Sequence, residues 1–468
     1  MKPIRVASAA LSVAAGWAAW RSWRSYTTPA DVPSGYRPAP LVLDGADAIP
    51  LVGFVTRLRK VVTDPVGLVY NSAHNHGAVF TIRIPSRFDL TYLLDRAAYD
   101  KVISLPAEHA AMGPVFGNVP TIGFWFPRRQ NDHESLQELV LTGKRIMAGF
   151  LSPEKVGGLP PLTKSVVNEH LARWPRTVDL ARAMYPAIYE ISGRFFAGDE
   201  FWDRYGYEIT PALRAIADGI DIPRATLAVT PWRYAMPEYR GTRRLAGILA
   251  DAARNMPETP LFQAIRAANV HDDDVAWMAM YVLWNAVTYP GSYGVWTLVD
   301  IVRDRGIYDT VMDAPDRLTY LGWCLWETIR LNPISSLVRA LQAPLTYDSG
   351  EQRYHLPAGT VVGVCPAMLN RDPAVWKQPE TYVPERFQQI ANPRRALFGA
   401  GAFGCVAGEF SRSLIAGVCD EILSNVSLQL TDPVPQRRCR VHLTYPAQPI
   451  LATLHPMGAT DRSLDHIA

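Results

Sequence analysis

Cysteine is scarce in this sequence: there are five among 468 residues, at positions 324, 365, 405, 419 and 439. The count is odd, and no two of them fall at CxxC or zinc-finger spacing. That argues against a disulfide-stapled scaffold and against a structural zinc site. Charge is also sparse. Under a fifth of the chain is charged, and 47 basic residues against 44 acidic ones leave a formal +3. So small an excess implies no nucleic-acid partner, and any basic patch has to be local. Internal repeats are lacking, as is a second linker. What remains is ordinary globular composition, about half hydrophobic, with enough apolar surface for a large core. Length alone suggests roughly three units of ~150 residues, but nothing past the N-terminal region divides the chain.

The N-terminus is set apart from the rest. Lys2 and Arg5 precede an uncharged run from Val6 to Trp20, and Arg21 and Arg24 follow it. Fifteen residues of helix reach ~22 Å, short of a ~30 Å hydrocarbon core. A signal peptide has an apolar region of this length. Here, however, the flank is bulky and Arg-rich (RSWRSY) rather than a small-residue cleavage site. Trp17, Trp20, Trp23 and Tyr26 suit a lipid–water interface. Residues 1–26 are therefore expected to be a single membrane anchor, spanning or interfacial, with the remainder of the chain on the cytoplasmic side. Pro29, Pro33, Pro38 and Pro40 make residues 27–48 a stiff, extended hinge. One globular domain should occupy residues 49–468.

Within that domain VFTIRI (79–84) and TYLLD (91–95) read as paired strands, followed by a helix near 97–104. Residues 105–133 read as a long loop. Helical patterns dominate from about 134 to 330. Residues 337–366 alternate as strands around a turn at Asp348, Ser349 and Gly350, a helix covers about 406–425, and short strands at 441–445 and 450–454 close the chain. The expected class is α+β, mainly helical, with small β-sheets.

The strongest chemical signal is FGAGAFGCVAG, Phe398 to Gly408. A thiolate held in an apolar pocket needs nearby backbone N–H groups. Glycines at 399, 401 and 404 let the chain turn and approach closely, and a following helix offers its N-terminal dipole. Two further motifs precede it. Glu327-Thr-Ile-Arg330 puts an acid and a base on one helical face. Pro384-Glu-Arg386-Phe supplies a second arginine that the first pair could clamp in a hydrogen-bonded network.

ETIRLNP, PERF and FxxGxxxC, in that order, together resemble the cytochrome P-450 superfamily over about residues 49–455. The resemblance implies a single haem-thiolate fold binding haem b. It implies Cys405 as axial ligand, within a loop that includes Phe398 and Gly401, and Glu327, Arg330 and Arg386 as a structural triad. Arg339 matches a position that contacts a haem propionate, and Lys144 and Arg145 sit where basic residues approach the haem. Phe124, Trp125, Phe126, Trp284, Tyr289, residues 334–337 (Ile334 to Leu337) and the turn at 445–449 would line an aromatic, apolar pocket.

The sequence departs from the family in several places. Phe403 stands where the family usually has an arginine that pairs with a propionate, and Ala407 stands where it has glycine. The segment 277–302 should hold an acid and a threonine that relay protons to dioxygen. It reads Asn285-Ala-Val-Thr288-Tyr289-Pro290, with Thr288 and Tyr289 at the matching places and no acid in either register. Pro290 is expected to break the helical ladder there. The bile-acid and prostanoid branch is similar in lacking the threonine. The implied activity is a monooxygenase acting on an apolar or amphipathic lipid, terpenoid or other secondary metabolite, with electrons from a separate reductase or ferredoxin. Lys144, Arg145, Arg394 and Arg395 could steer such a donor. The alternative is a reductase-independent isomerase, dehydratase or peroxide-using enzyme.

Overall fold

The computed structural model describes residues 29–43, 60, 64–84, 88–118, 132–219, 231–390, 393–440 and 443–456. The proposed anchor, and Phe124 to Phe126, lie outside these residues. Residues 29–43 run along the domain surface. The Arg37 N–H donates to the Arg353 carbonyl (2.8 Å) and the Val42 N–H to the Thr81 carbonyl (2.9 Å), with Ala39 and Val42 buried. The described part of the proline-rich stretch, which holds all four of its prolines, is thus seated on the sheets.

Among the described residues the architecture is mainly helical with four small sheets. Helix starts follow from local chemistry. Asp95, Asp132 and Asp316 each accept a backbone N–H three residues on, capping the helices Arg96–Ile103, His133–Phe150 and Arg317–Leu331. Gly77 and Gly198 stand just past two helix ends with φ of 84° and 89°, a region that favours glycine.

The largest sheet has five strands. Val79–Ile84 pairs with Phe88–Leu93 in antiparallel register, Thr81 opposite Thr91 with their hydroxyls 2.9 Å apart. Phe88–Leu93 runs parallel to Val361–Val364, which pairs antiparallel with Leu337–Leu341; Ala110–Ala111 forms the far edge. This order sets Arg339 opposite Val362, inside the sheet rather than on its rim. The strand-rich region after residue 337 resolves into this sheet and a hairpin, Leu345–Ser349 with Gln352–Leu356, turning at Gly350 (φ 59°).

At the centre lies the helix Val275–Val302, 28 residues long and so ~42 Å from end to end. It is apolar on every face, as a helix surrounded by protein must be. It packs against Leu180–Ala197, Pro237–Asn255, Arg317–Leu331 and Gly408–Asn425. Pro290 does not end it: the helix continues on both sides of that residue, from Val275 to Val302. Packing on four sides outweighs one missing N–H, and the local cost falls on the Ala286 carbonyl, which loses its usual donor. The stretch Gly401–Asn425, which joins the cysteine loop to the helix Gly408–Asn425, includes a window apolar enough to cross a membrane by composition. That helix nevertheless packs against Leu159–Leu171 and Arg317–Leu331, which accounts for the apolar pattern.

Candidate active site

The cysteine loop starts where the short helix Arg394–Phe398 stops. Gly399 and Gly401 take φ of 70° and 68°, values costly for any side chain with a Cβ. A Cβ on Gly401 would also lie 2.8 Å from the Ile103 carbonyl oxygen, so the loop presses against the end of the helix Arg96–Ile103. The turn closes when the Cys405 N–H donates to the Phe398 carbonyl (2.9 Å) and the Gly404 N–H to the Gly401 carbonyl (3.1 Å). Tyr99 steadies the approach, its hydroxyl donating to the carbonyls of Arg395 (3.1 Å) and Ala396 (3.2 Å).

Cys405 is exposed, whereas Cys324, Cys365 and Cys419 are buried. Burial pushes the Cys419 thiol up to about 12 and raises those of Cys324 and Cys365. Those three are held as neutral thiols, so of the four cysteines whose side chains are described Cys405 is the one suited to act as a thiolate ligand.

Two cations converge behind the loop. The Lys144 Nζ donates to the Gly404 carbonyl at 2.5 Å. Arg339 is 4 % exposed; its Nη1 donates to the Val338 carbonyl (2.8 Å) and approaches the Met112 Sδ (3.4 Å). The Arg339 Nε is buried with no partner. Burial lowers Lys144 to about 8 and Arg339 to about 10. Among the described residues neither is paired with a carboxylate. Such a site lacks an anion, and an orphaned buried guanidinium N–H fits the carboxylates of haem.

Gly143 brings Lys144 in: a Cβ there would lie 2.5 Å from Cε1 of Tyr281 on the central helix. Arg145, one residue on, points elsewhere. It is exposed and bonded to Glu138 (2.5 Å) and Thr142 (2.7 Å), so Lys144 alone of this pair joins the site. Arg395 pairs with Asp100 (2.7 Å) on the outer side of the loop.

The central helix forms the opposite wall. Thr288 is 2 % exposed and its Oγ1 is buried without a partner. Tyr289 packs edge-on to Trp284, 6.0 Å between ring centroids. Burial raises the phenols of Tyr281 and Tyr289, and the charge of Cys405 adds to both shifts. The helix and the cysteine loop therefore share one electrostatic environment. Ile334 and Leu337 are half-buried, with Leu337 Cδ1 3.9 Å from where a Gly399 Cβ would stand. Tyr445 reaches the helix Asp199–Gly219, its hydroxyl donating to the Ala217 carbonyl at 3.1 Å.

Glu327 and Arg330 are wholly buried. Glu327 accepts from Arg330 Nε (2.7 Å) and Nη2 (2.9 Å), from Arg386 Nε (3.0 Å) and from the Val383 N–H (2.9 Å). Arg330 Nη1 donates to the carbonyls of Asn370 (2.6 Å) and Pro379 (2.7 Å). Arg386 donates to the Lys377 carbonyl (2.9 Å). The three residues thus tie one helix to the whole 370–386 segment.

Two features escaped sequence reasoning. Asp300 is buried at the end of the central helix, accepting from the Thr328 hydroxyl (2.9 Å) and paired with Arg303 (3.1 Å) and Arg437. Gln137 accepts from the N–H groups of Met112 (2.7 Å) and Gly113 (3.0 Å), which leaves its Nε2 buried without a partner close to the Met112 that Arg339 touches.

The cytochrome P450 family model matches residues 300–453. The chain is 32% identical over 426 residues to a sterol 14-demethylase of Arabidopsis thaliana, covering 83% of this chain and 86% of that one. It is 30% identical over 441 residues to an obtusifoliol 14-alpha demethylase of Sorghum bicolor, covering 86% and 87%. Its fold superposes on cytochrome P450 OleT in complex with arachidonic acid with a TM-score of 0.72, at 12% identity, over 92% of this chain and 100% of that one.

Proposed function

Given that the chain belongs to the cytochrome P450 family, we propose that this haem-thiolate monooxygenase oxidises a polycyclic isoprenoid of the sterol class, with Cys405 supplying the thiolate. The observation that carries the substrate class is the near full-length similarity to two plant sterol demethylases. The central helix supports it: from Ala276 to Val299 it holds no acidic, basic or histidine side chain. A rigid apolar substrate can lie against such a wall without stripping water from a charge.

Haem, when bound, supplies the redox chemistry, and a thiolate pushes electron density toward the iron. The protein's own residues divide the remaining work. Arg339 and Lys144 neutralise the cofactor's carboxylates. Trp284 and Tyr289 pack the substrate side of the helix. The Thr288 hydroxyl, with the Ala286 carbonyl that Pro290 leaves without its helical donor, holds a water that delivers protons in place of the missing acid. Electrons come from a separate donor. Residues 1–26 attach the enzyme to a membrane, where an apolar substrate is concentrated.

A spectral titration tests the substrate class. A 14-methyl sterol should displace the water-ligated ferric spectrum toward the high-spin form at low concentration, while a saturated fatty acid should not. A fatty acid that binds while sterols of several ring substitutions leave the spectrum unmoved would overturn the proposal.

A further inference from the structure

Phe403 stands two residues before Cys405, within reach of both cations of the site. The Arg339 guanidinium carbon lies over its ring at 4.7 Å from the centroid, and the Lys144 Nζ lies over the same ring at 5.9 Å. Both distances fall within the reach of a cation–π contact, about 6 Å, and the arginine is well inside it. A phenyl ring has neither charge nor hydrogen-bonding group, so it cannot itself bind a carboxylate. What it can do is hold a cation whose other contacts are few. Among the described residues Arg339 has three: the ring, the Val338 carbonyl and the Met112 sulfur. Together they fix the plane of the guanidinium and leave its Nε free of protein partners. Resting on the reading that the Cys405 loop binds haem, we propose that Phe403 is a positioning residue: its ring orients Arg339, and secondarily Lys144, toward the cofactor's carboxylates. A cation acting directly from position 403 is thereby replaced by an aromatic platform acting through two cations from elsewhere in the chain.

This assignment makes the two cations dependent on the ring in a way ordinary packing would not. Leucine at 403 keeps an apolar side chain but loses the quadrupole that attracts the cation. Tryptophan keeps and strengthens it. The quantity to follow is the rate at which the ferric holoprotein loses haem to excess apomyoglobin, measured for Phe403→Leu, Phe403→Trp, Arg339→Gln and the double variant Phe403→Leu/Arg339→Gln. Phe403→Leu should lose haem about threefold to thirtyfold faster than wild type, the range that a partly to fully desolvated cation–π contact implies. Phe403→Trp should stay near the wild-type rate. In the Arg339→Gln background the leucine substitution should change the rate less than about twofold, because the residue it acts through is gone. The ferric/ferrous midpoint potential of Phe403→Leu should fall, since a carboxylate with a weaker cation partner favours the ferric state.

An unchanged rate in Phe403→Leu would overturn the proposal. So would a full leucine effect persisting in the Arg339→Gln background, which would mark simple packing. If Phe403→Leu yields no holoprotein, Phe403→Met against Phe403→Trp makes the same comparison, and equal rates would sink the idea. The reduced carbon-monoxide spectrum separates this outcome from failure of the underlying reading. A wild-type protein without the thiolate-type Soret band would defeat the assignment of Cys405, whatever Phe403 does.

Discussion

Removing the Glu327 carboxylate is the severest single test of how this fold is held. Glu327 accepts four hydrogen bonds, three from guanidinium N–H groups and one from the Val383 backbone. In Glu327→Ala, Arg330 stays wholly buried and still bound through Nη1 to the Asn370 and Pro379 carbonyls, so it cannot swing out to water. Breaking a buried pair in this manner costs ~3–5 kcal/mol. The orphaned Val383 N–H adds ~1–3 kcal/mol. Trp376, whose ring centroid lies 5.2 Å from the Arg330 guanidinium and 5.9 Å from that of Arg386, makes the same contacts before and after the substitution and so offsets none of this loss. Against a typical stability of ~5–15 kcal/mol, the net loss takes most of the margin. The expected result is little folded holoprotein from Glu327→Ala. Glu327→Gln should retain some, with a lowered urea midpoint and faster proteolysis within residues 377–386, whose carbonyls the two arginines hold. Arg330→Met, which removes the stranded charge and keeps the length, should be milder than Glu327→Ala. Wild-type haem content and urea midpoint in both Glu327 variants would refute this reasoning.

Cys405→Ala should abolish the thiolate-type reduced carbon-monoxide band, whereas Cys419→Ala, at a buried neutral thiol, should leave it intact; the reverse pattern would displace the whole site. Burial holds Lys144 at about 8 when no cofactor carboxylate is beside it. The folded cofactor-free chain therefore sheds that proton earlier than the unfolded chain does, and stability should rise with pH above about 8. Urea unfolding at successive pH values should show that slope, and Lys144→Met should flatten it. Deleting residues 1–26 should move the protein from the membrane to the soluble fraction with its haem spectrum unchanged; a mature protein that already begins near residue 26 and is secreted would show a signal peptide instead. Thr288→Val should release more hydrogen peroxide per electron consumed under donor-driven turnover. Full coupling in that variant would remove Thr288 from the proton relay, and undiminished turnover with a hydroperoxide alone would favour peroxide use.

Much of the site was legible because its motifs are local. The glycines of the cysteine loop announce turns, and two of them do take positive φ. Glu327 and Arg330 lie three apart on one helix, so their contact follows from helical geometry. The choice between Lys144 and Arg145 was readable too. Lys144 stands four residues after buried Val140 and three before buried Met147, while Arg145 falls in line with exposed Glu138, seven residues earlier, to which it is bonded. The neighbouring basic pair obscured a spacing that the apolar residues already stated. Pro290 misled for the opposite reason: a local rule was applied where packing on four sides decides. Asp300 and Arg437 carried no local sign, since their pairing depends on a C-terminal hairpin returning to the end of the central helix. Phe403 lies between these cases. As a departure from the family pattern it was visible at once, yet its consequence was not, because the cations over its ring come from a helix and a strand far away in the chain. A substitution that deletes a charge reads as loss until the fold shows what has been gathered around it. Here one ring lies under two cations that have no acid partner among the described residues, an arrangement that an incoming anion completes.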